Sequence, residues 1–593
     1  MKRISGKLLK VIAFTLTTTL IPATAAAAPD SRAFGPGHPF ELTDLPFGDI
    51  RTKLESLPAP ARNKAMAWLN NFTFTTQDLP FLRIDDAGGV FYADTYLPGE
   101  TGTETADGSE PGAPESALSA SEVFNLQSRP GASRVLYLDF DGHLIPSTSA
   151  WTSINLDARP YDLDGLPASF SDTELANIAE IWRRISEDFA AFDVNITTQL
   201  PASFGSTVGR VLITTDTDNN GNAMPAQGAG GVAYVNVWGR SDYASRYSPA
   251  FVYFNRLGNG RADYVSEAAS HEAGHNLSLG HDATTSSSYY SGHGSGNISW
   301  GPLMGTGYNR NVSQWSKGEY PDANNQQDDI AILNSKLVNR ADDHVNGLAG
   351  ATRIVADAAG NITATTLEGD PSNLVADNKG NIGSETDLDV FYFDTTGGQV
   401  DLAVTPAWQS RYTRGANLDI DAALYNEAGT LLFSNDALSD TNSTLSANLA
   451  AGRYYLAIQG VGNNTSPYSD YGSLGQYAIS GSLPAFNDNL APVPNPMSWN
   501  SPPQTNDRDS ITMIATTAND DSGVVEYRFA CISGPSGCTS SSWQSGSSYT
   551  AAGLLPGSTH EFSVSARDAY QNQTAPSANV AATTAANLSP AAT

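Results

Sequence analysis

The chain has 593 residues, more than one hydrophobic core serves, so several domains are expected. It carries 62 acidic against 32 basic residues, a formal net charge of −30, and so acidic a surface excludes nucleic acid and anionic lipid as partners. Only two cysteines occur, Cys531 and Cys538, so no disulfide framework supports most of the chain.

In chain order, an apolar run at residues 8 to 22 follows Lys2, Arg3, Lys7 and Lys10 and precedes a small-residue stretch ending at Ala28. This is the pattern of a secretory signal peptide over residues 1–28, too short for a membrane span, and it predicts a secreted, extracellular protein. Residues 29–96 read as a propeptide. Its centre, Ile50 to Phe74, has a helical apolar period through Leu54, Leu57, Ala61, Ala65, Trp68 and Leu69. Strand-like segments follow at Phe81-Leu-Arg-Ile and Gly89-Val-Phe-Tyr. Residues 97–132 are a Gly/Ser/Thr/Pro/Glu-rich linker, which predicts cleavage on maturation near Ser121 to Ser133.

Residues 133–345 alternate strand and helix signals. Strands are predicted at Arg134-Val-Leu-Tyr-Leu-Asp-Phe, Val194-Asn-Ile-Thr-Thr, Arg210-Val-Leu-Ile-Thr-Thr, Gly231-Val-Ala-Tyr-Val-Asn-Val and Phe251-Val-Tyr-Phe. The capping box Ser171-Asp-Thr-Glu174 opens a helix with Leu175, Ile178, Ile181, Trp182, Ile185 and Phe189 on one face. A second helix is predicted from Asp263 to Leu279 and a closing one around Ile330, Leu333 and Leu337. The implied fold is a mixed, twisted sheet with helices packed on it, an α/β (α+β) unit. Residues 346–485 and 491–585 switch to short alternating strands with turn signals, two all-β sandwich modules in a multidomain chain. A disulfide between Cys531 and Cys538 is expected in the second.

The chemistry concentrates in His271-Glu272-Ala-Gly-His275 and His281-Asp282. Two histidines four apart on a helix stand one above the other and reach one metal ion. If the helix breaks near Ser278 to Gly280, His281 turns back as a third ligand. Three protein ligands with one position left to water describe catalytic rather than structural zinc. Glu272 has the general base's place, taking the proton of the attacking water and passing it to the leaving amine.

These residues resemble the metzincin clan of zinc peptidases, H-E-x-x-H-x-x-G-x-x-H, and most closely its reprolysin-like bacterial members, which also carry an Asp where Asp282 stands. The resemblance covers residues 133 to 345. It implies that Met304 in Gly301-Pro-Leu-Met304-Gly is a packing floor beneath the metal. The clan's glycine is replaced by Ser278, with Gly280 nearby. Tyr308, four positions after Met304, is a candidate oxyanion stabiliser. Residues 1 to 130 contain no cysteine, so a cysteine switch is excluded; a propeptide carboxylate from Asp85, Asp86 or Asp94 is the alternative zinc occupant. Residues 346–485 resemble the pre-peptidase C-terminal domain through Asp389-Val-Phe-Tyr-Phe, Ala451-Gly-Arg-Tyr-Tyr-Leu and Gly475-Gln-Tyr-Ala-Ile, and residues 491–585 look like a fibronectin type III module.

Asp216-Thr-Asp218-Asn-Asn220-Gly is similar to a calcium loop but lacks the glutamate at its twelfth position, where Gln227 stands; calcium is a candidate second ion and a solvated acidic turn the alternative. His143 and His293 lack ligand spacing, and the Asn-x-Ser/Thr sequons, one at Asn276 inside the zinc helix, are read as incidental. The expectation is a monomeric, secreted zinc endopeptidase acting on protein or peptide substrates, with one catalytic Zn²⁺. The rivals are a zinc amidase acting on a cell-wall amide and a non-catalytic adhesin on a protease fold.

Overall fold

The computed structural model describes residues 31–95, 118–357, 359–364, 378–484, 490–520, 525–535, 538–568 and 571–586. The expected signal peptide and residues 97–117 of the expected linker lie outside them. Among the described residues no helix is long and apolar enough to cross a membrane.

The N-terminal unit begins with α1 (Asp49–Ser56) and α2 (Ala59–Leu69). The single helical period of the sequence is broken because Leu57 precedes Pro58 and is extended, with ψ 145°, as the proline ring demands. Then come β1 (Leu82–Ile84) and β2 (Val90–Asp94). Across the linker lie β3 (Val135–Asp139), α3 (Asp172–Asp188), β4 (Asn195–Thr197), β5 (Val208–Thr214), β6 (Gly231–Tyr234), β7 (Ala250–Tyr253), α4 (Ala262–Asn276) and α5 (Asp329–Leu337).

All seven strands form one sheet in the order β1-β2-β6-β7-β5-β3-β4. The four from β7 to β4 run parallel, whereas β6 is antiparallel to both β7 and β2. The N-terminal unit is therefore not a separate body: its two strands extend the central sheet along β6. The box at the start of α3 closes as its spacing predicts, Ser171 N donating to Glu174 at 2.7 Å and Glu174 N to Ser171 Oγ at 3.4 Å. The buried face of α3 carries Leu175, Ile178, Ile181, Trp182 and Ile185. It packs against α4, which in turn lies on β6 and β7.

The first sandwich has two five-stranded sheets, one containing β8 (Lys379–Ile382) and the other β9 (Asp389–Thr395). It is welded to the catalytic unit. Arg184 of α3 donates to Arg414 O and Thr413 Oγ1, each at 2.6 Å, and Glu187 accepts Gln476 N at 2.7 Å. Buried residues from the N-terminal unit (Leu54, Trp68), the catalytic sheet and helices (Ile178, Val265) and this sandwich (Phe391, Ile458) share one core. The last module has two three-stranded sheets and its own core around Phe529, Phe562 and Val564. There Cys531 and Cys538 are bridged, their Cα atoms 6.0 Å apart.

Candidate metal centre and active site

The helix α4 brings His271 and His275 onto one face, and its end is built by Ser278. This residue takes a φ of +98°, the left-handed region that glycine enters without cost. The turn expected of a glycine is thus made by a serine, and it returns His281 to the other two rings. The centroids of His271, His275 and His281 lie 4.8 to 5.4 Å apart. Each ring is held from behind: His271 Nδ1 is 2.8 Å from Leu303 O, His275 Nδ1 2.8 Å from Leu279 O and His281 Nδ1 3.1 Å from Asp78 Oδ1. The carbonyl contacts of His271 and His275 fix the tautomer that leaves Nε2 free for a metal.

All three Nε2 atoms face one carboxylate from the N-terminal unit. Asp94 Oδ2 is 3.2 Å from His271 and 3.3 Å from His275, and its Oδ1 is 3.1 Å from His281. Tetrahedral zinc with bonds of about 2.0–2.1 Å sets neighbouring donors about 3.3 Å apart. The separations match that edge, and His271 Nε2 is otherwise a buried atom without a hydrogen-bond partner. The donor set fits zinc.

Of the three propeptide carboxylates singled out in the sequence, Asp94 alone reaches the histidines. Asp85 accepts Ala87 N, Gly89 N and the Tyr234 hydroxyl, and Asp86 pairs with Lys53 at 2.5 Å. The register of β2 on β6 sets Asp94 opposite Gly231. A Cβ at Gly231 would lie 2.0 Å from Glu272 Oε1, so this glycine makes room for the glutamate. Met304 does lie under the helix: a Cβ on Gly274 would meet its Sδ at 2.5 Å. Asp282 pins that turn, its N–H donating to Met304 O at 2.8 Å, while the Tyr320 hydroxyl donates to its carboxylate at 3.3 Å.

Three functional neighbours were not foreseen. The Tyr289 hydroxyl donates to Asp94 Oδ1 at 2.9 Å, Tyr92 of β2 stacks on His275 at 4.2 Å, and Asp78 backs His281. None has a local motif; all depend on the pairing of distant segments. Tyr308 lies edge-on to Tyr264 at 5.5 Å, and the Tyr289 hydroxyl meets Asp94.

Burial alone would raise the pKa of Asp94, but the three histidines outweigh it and hold the carboxyl well below the usual range. Burial, and then the Asp94 charge, push Glu272 well above its ordinary value. Burial lowers His275 to about 4. His281, despite burial, is raised to about 9 by Asp94 and Asp78. Burial also lifts Asp282 to about 7.

At the candidate calcium loop the carboxylates face protein donors. Asp216 accepts Asn255 Nδ2 at 2.9 Å and Arg256 Nε at 2.8 Å; Asp218 accepts the N–H groups of Asn220 and Asn222 at 2.8 and 2.7 Å. Asn220 is exposed at the tip. Asp218 thus closes an Asx-type turn, and Asp216 is held by distant partners.

Residues 191–282 match the family described as Metallo-peptidase family M12B Reprolysin-like, a stretch ending on Asp282 and including all three histidines and Glu272. No curated protein matches the chain. Among solved structures, the Clostridium thermocellum CbhA fibronectin(III)-like modules are 15% identical, with 32% of this chain and 87% of that one covered and a TM-score of 0.16. The fibronectin type III domain of human fibronectin type III domain containing protein 3 is 17% identical, covering 18% and 90%, with a TM-score of 0.13. A Yersinia enterocolitica family 28 exopolygalacturonase is 17% identical over 16% of this chain, which spans 21% of its length, with a TM-score of 0.14. Over the stretch that holds its buried histidines, then, the chain is similar to the reprolysin-like zinc metallopeptidases, and that likeness supports a metal-dependent peptidase.

Proposed function

We propose that the chain is the precursor of a secreted zinc endopeptidase that hydrolyses extracellular proteins and is kept latent by Asp94. The observation that carries this reading is the convergence of His271, His275 and His281 on one point beside Glu272, a glutamate not needed as a ligand. The three histidines would hold the metal. Zinc there supplies a Lewis acid that polarises the scissile carbonyl and acidifies an adjacent water. Glu272, given its space by Gly231, accepts the water's proton and returns it to the leaving amine. An extended substrate would pair with β6, the strand that β2 covers. Release of β2 by cleavage in the linker frees both that edge and the position held by Asp94. The two sandwich modules serve attachment or stability.

The test is Glu272→Gln in the processed enzyme. Zinc should remain near one equivalent while turnover of a casein-type substrate falls by roughly 10² to 10⁴. His275→Ala should lose metal and activity together. Wild-type turnover in zinc-loaded Glu272→Gln would remove the assigned base, and chelator-sensitive hydrolysis of peptidoglycan amides without proteolysis would favour the amidase.

A further inference from the structure

Where the chain leaves α5 and enters the first sandwich, acidic groups from two segments meet. Asp342, Asp387 and Asp389 place carboxylate oxygens within 4.8 Å of one another, and Asp343 and Asp389 do the same with His344. Asp389, at the start of β9, is fully buried; its Oδ2 accepts the Tyr477 hydroxyl at 2.6 Å, but its Oδ1 has no partner. Asp387, 8% exposed, uses Oδ2 for Gly383 N at 2.7 Å and likewise leaves Oδ1 unmatched. The amide of Asn381, on β8 and 3% exposed, has an unpartnered Oδ1. Its Nδ2 and Asp387 Oδ2 flank the same glycine: a Cβ on Gly383 would be 3.7 Å from the first and 3.5 Å from the second.

Buried orphan oxygens destabilise a fold, more so when charged, and several in one place need a common partner. That partner is a cation, since the carboxylates repel one another. Burial and Asp343 push Asp389 up to about 9, and burial with Asp342 and Asp343 lifts Asp387 to about 6. His344 offers it no nitrogen: Nδ1 is 2.8 Å from Thr352 Oγ1 and Nε2 2.9 Å from Lys379 O. An all-oxygen set of carboxylates and an amide suits a hard ion, and its irregular origin in a connecting segment and two strands suits the flexible shell of calcium over the strict octahedron of magnesium.

The geometry points to a calcium site formed by Asp342 and Asp343 of the segment after α5 with Asn381, Asp387 and Asp389 of the sandwich. The ion ties the exit of the catalytic unit to the module that braces α3. The site is independent of the peptidase reading.

Full-length protein is freed of calcium on a chelating resin, resupplied with zinc and titrated with CaCl₂ by calorimetry and by thermal unfolding. Wild type and Asp357→Asn, an exposed acidic control, should bind calcium with an upward melting shift, and MgCl₂ should give a smaller one. Asp342→Asn, at an exposed position, and Asp387→Asn should weaken binding at least tenfold and lose the shift. Asp387→Asn should also melt higher than wild type without calcium, because one repelling charge is gone. Absence of calcium binding at millimolar concentration, an equal response to magnesium, or unchanged binding in both variants would overturn the site.

Discussion

The proposed Asp94 latch is open to measurement. Its carboxylate meets three histidine nitrogens at 3.1 to 3.3 Å and the Tyr289 hydroxyl at 2.9 Å, all away from solvent. Removing one partner of a buried charge set costs about 3–5 kcal/mol. At 1.4 kcal/mol per tenfold, a loss of that size raises the ratio of open to closed clefts by about 10² to 10⁴. The strand β2 would still pair with β6 through Val90 O and Asp94 O, which accept Val235 N and Gly230 N. Uncleaved Asp94→Ala precursor should therefore hydrolyse a short fluorogenic peptide about 10² times faster than uncleaved wild type, yet more slowly than the processed enzyme. Asp94→Asn, which keeps an acceptor without the charge, should fall between them. Initial rates are read with the chain shown intact on a gel and zinc counted in the same sample. Asp94→Ala precursor that is folded, zinc-loaded and as silent as wild type, but fully active once the linker is cut, would refute the carboxylate latch and leave strand occlusion as the cause.

The Tyr289 hydroxyl meets the Asp94 carboxylate beside the histidines, so Tyr289→Phe in the processed enzyme should lower kcat by about 10- to 100-fold with zinc retained; an equal loss in Tyr308→Phe alone would assign the role to Tyr308. Ser278→Gly relieves a φ of +98° and should stabilise the protein by about 1 kcal/mol in denaturant titration, with activity kept. Burial raises Asp188 from 3.8 to about 7, against the opposing bonds from Ser270 and Asn417. The folded state therefore keeps its proton while the unfolded state loses it, and stability falls as pH rises from 4 to 7. Full burial would make this about 4 kcal/mol; with some solvent contact roughly 1–2 is expected. Asp188→Asn should flatten that part of the melting profile, and an unchanged slope would exclude Asp188 as its source.

The local part of the site was legible because its signals are short-range. The four-residue step from His271 to His275, the capping box at Ser171 and the strand periods of β3, β5 and β7 each lie within one element, where geometry follows from sequence spacing. The end of α4 was legible in place but not in means, since Ser278 adopts a conformation that its residue type does not announce. The calcium reading of Asp216 and Asp218 rested on spacing alone, and spacing does not reveal that Arg256 and Asn255 come round to the Asp216 carboxylate. Docking of α3 on the sandwich through Arg184 and Glu187 carries no local signal either.

What the sequence withholds most completely is strand register, and here register decides which side chain meets the histidines. Side chains alternate across a strand, so a slip of one residue between β2 and β6 would replace Asp94 by Ala93 or Thr95 at the histidines and turn Tyr92 away from His275. Two glycines and a turn hold the pairing where it is. A side chain on Gly89 would strike Asp85 Oδ2 at 2.4 Å, and one on Gly231 would strike Glu272. The Asp85 carboxylate meanwhile closes the β1–β2 turn through Ala87 N and Gly89 N and reaches Tyr234 at the far end of β6. Asp85 thus fixes the strand at one end and Asp94 meets the three histidines at the other. Among acidic residues of equal promise in the sequence, one became the anchor and another the occupant because the sheet measures the distance between them.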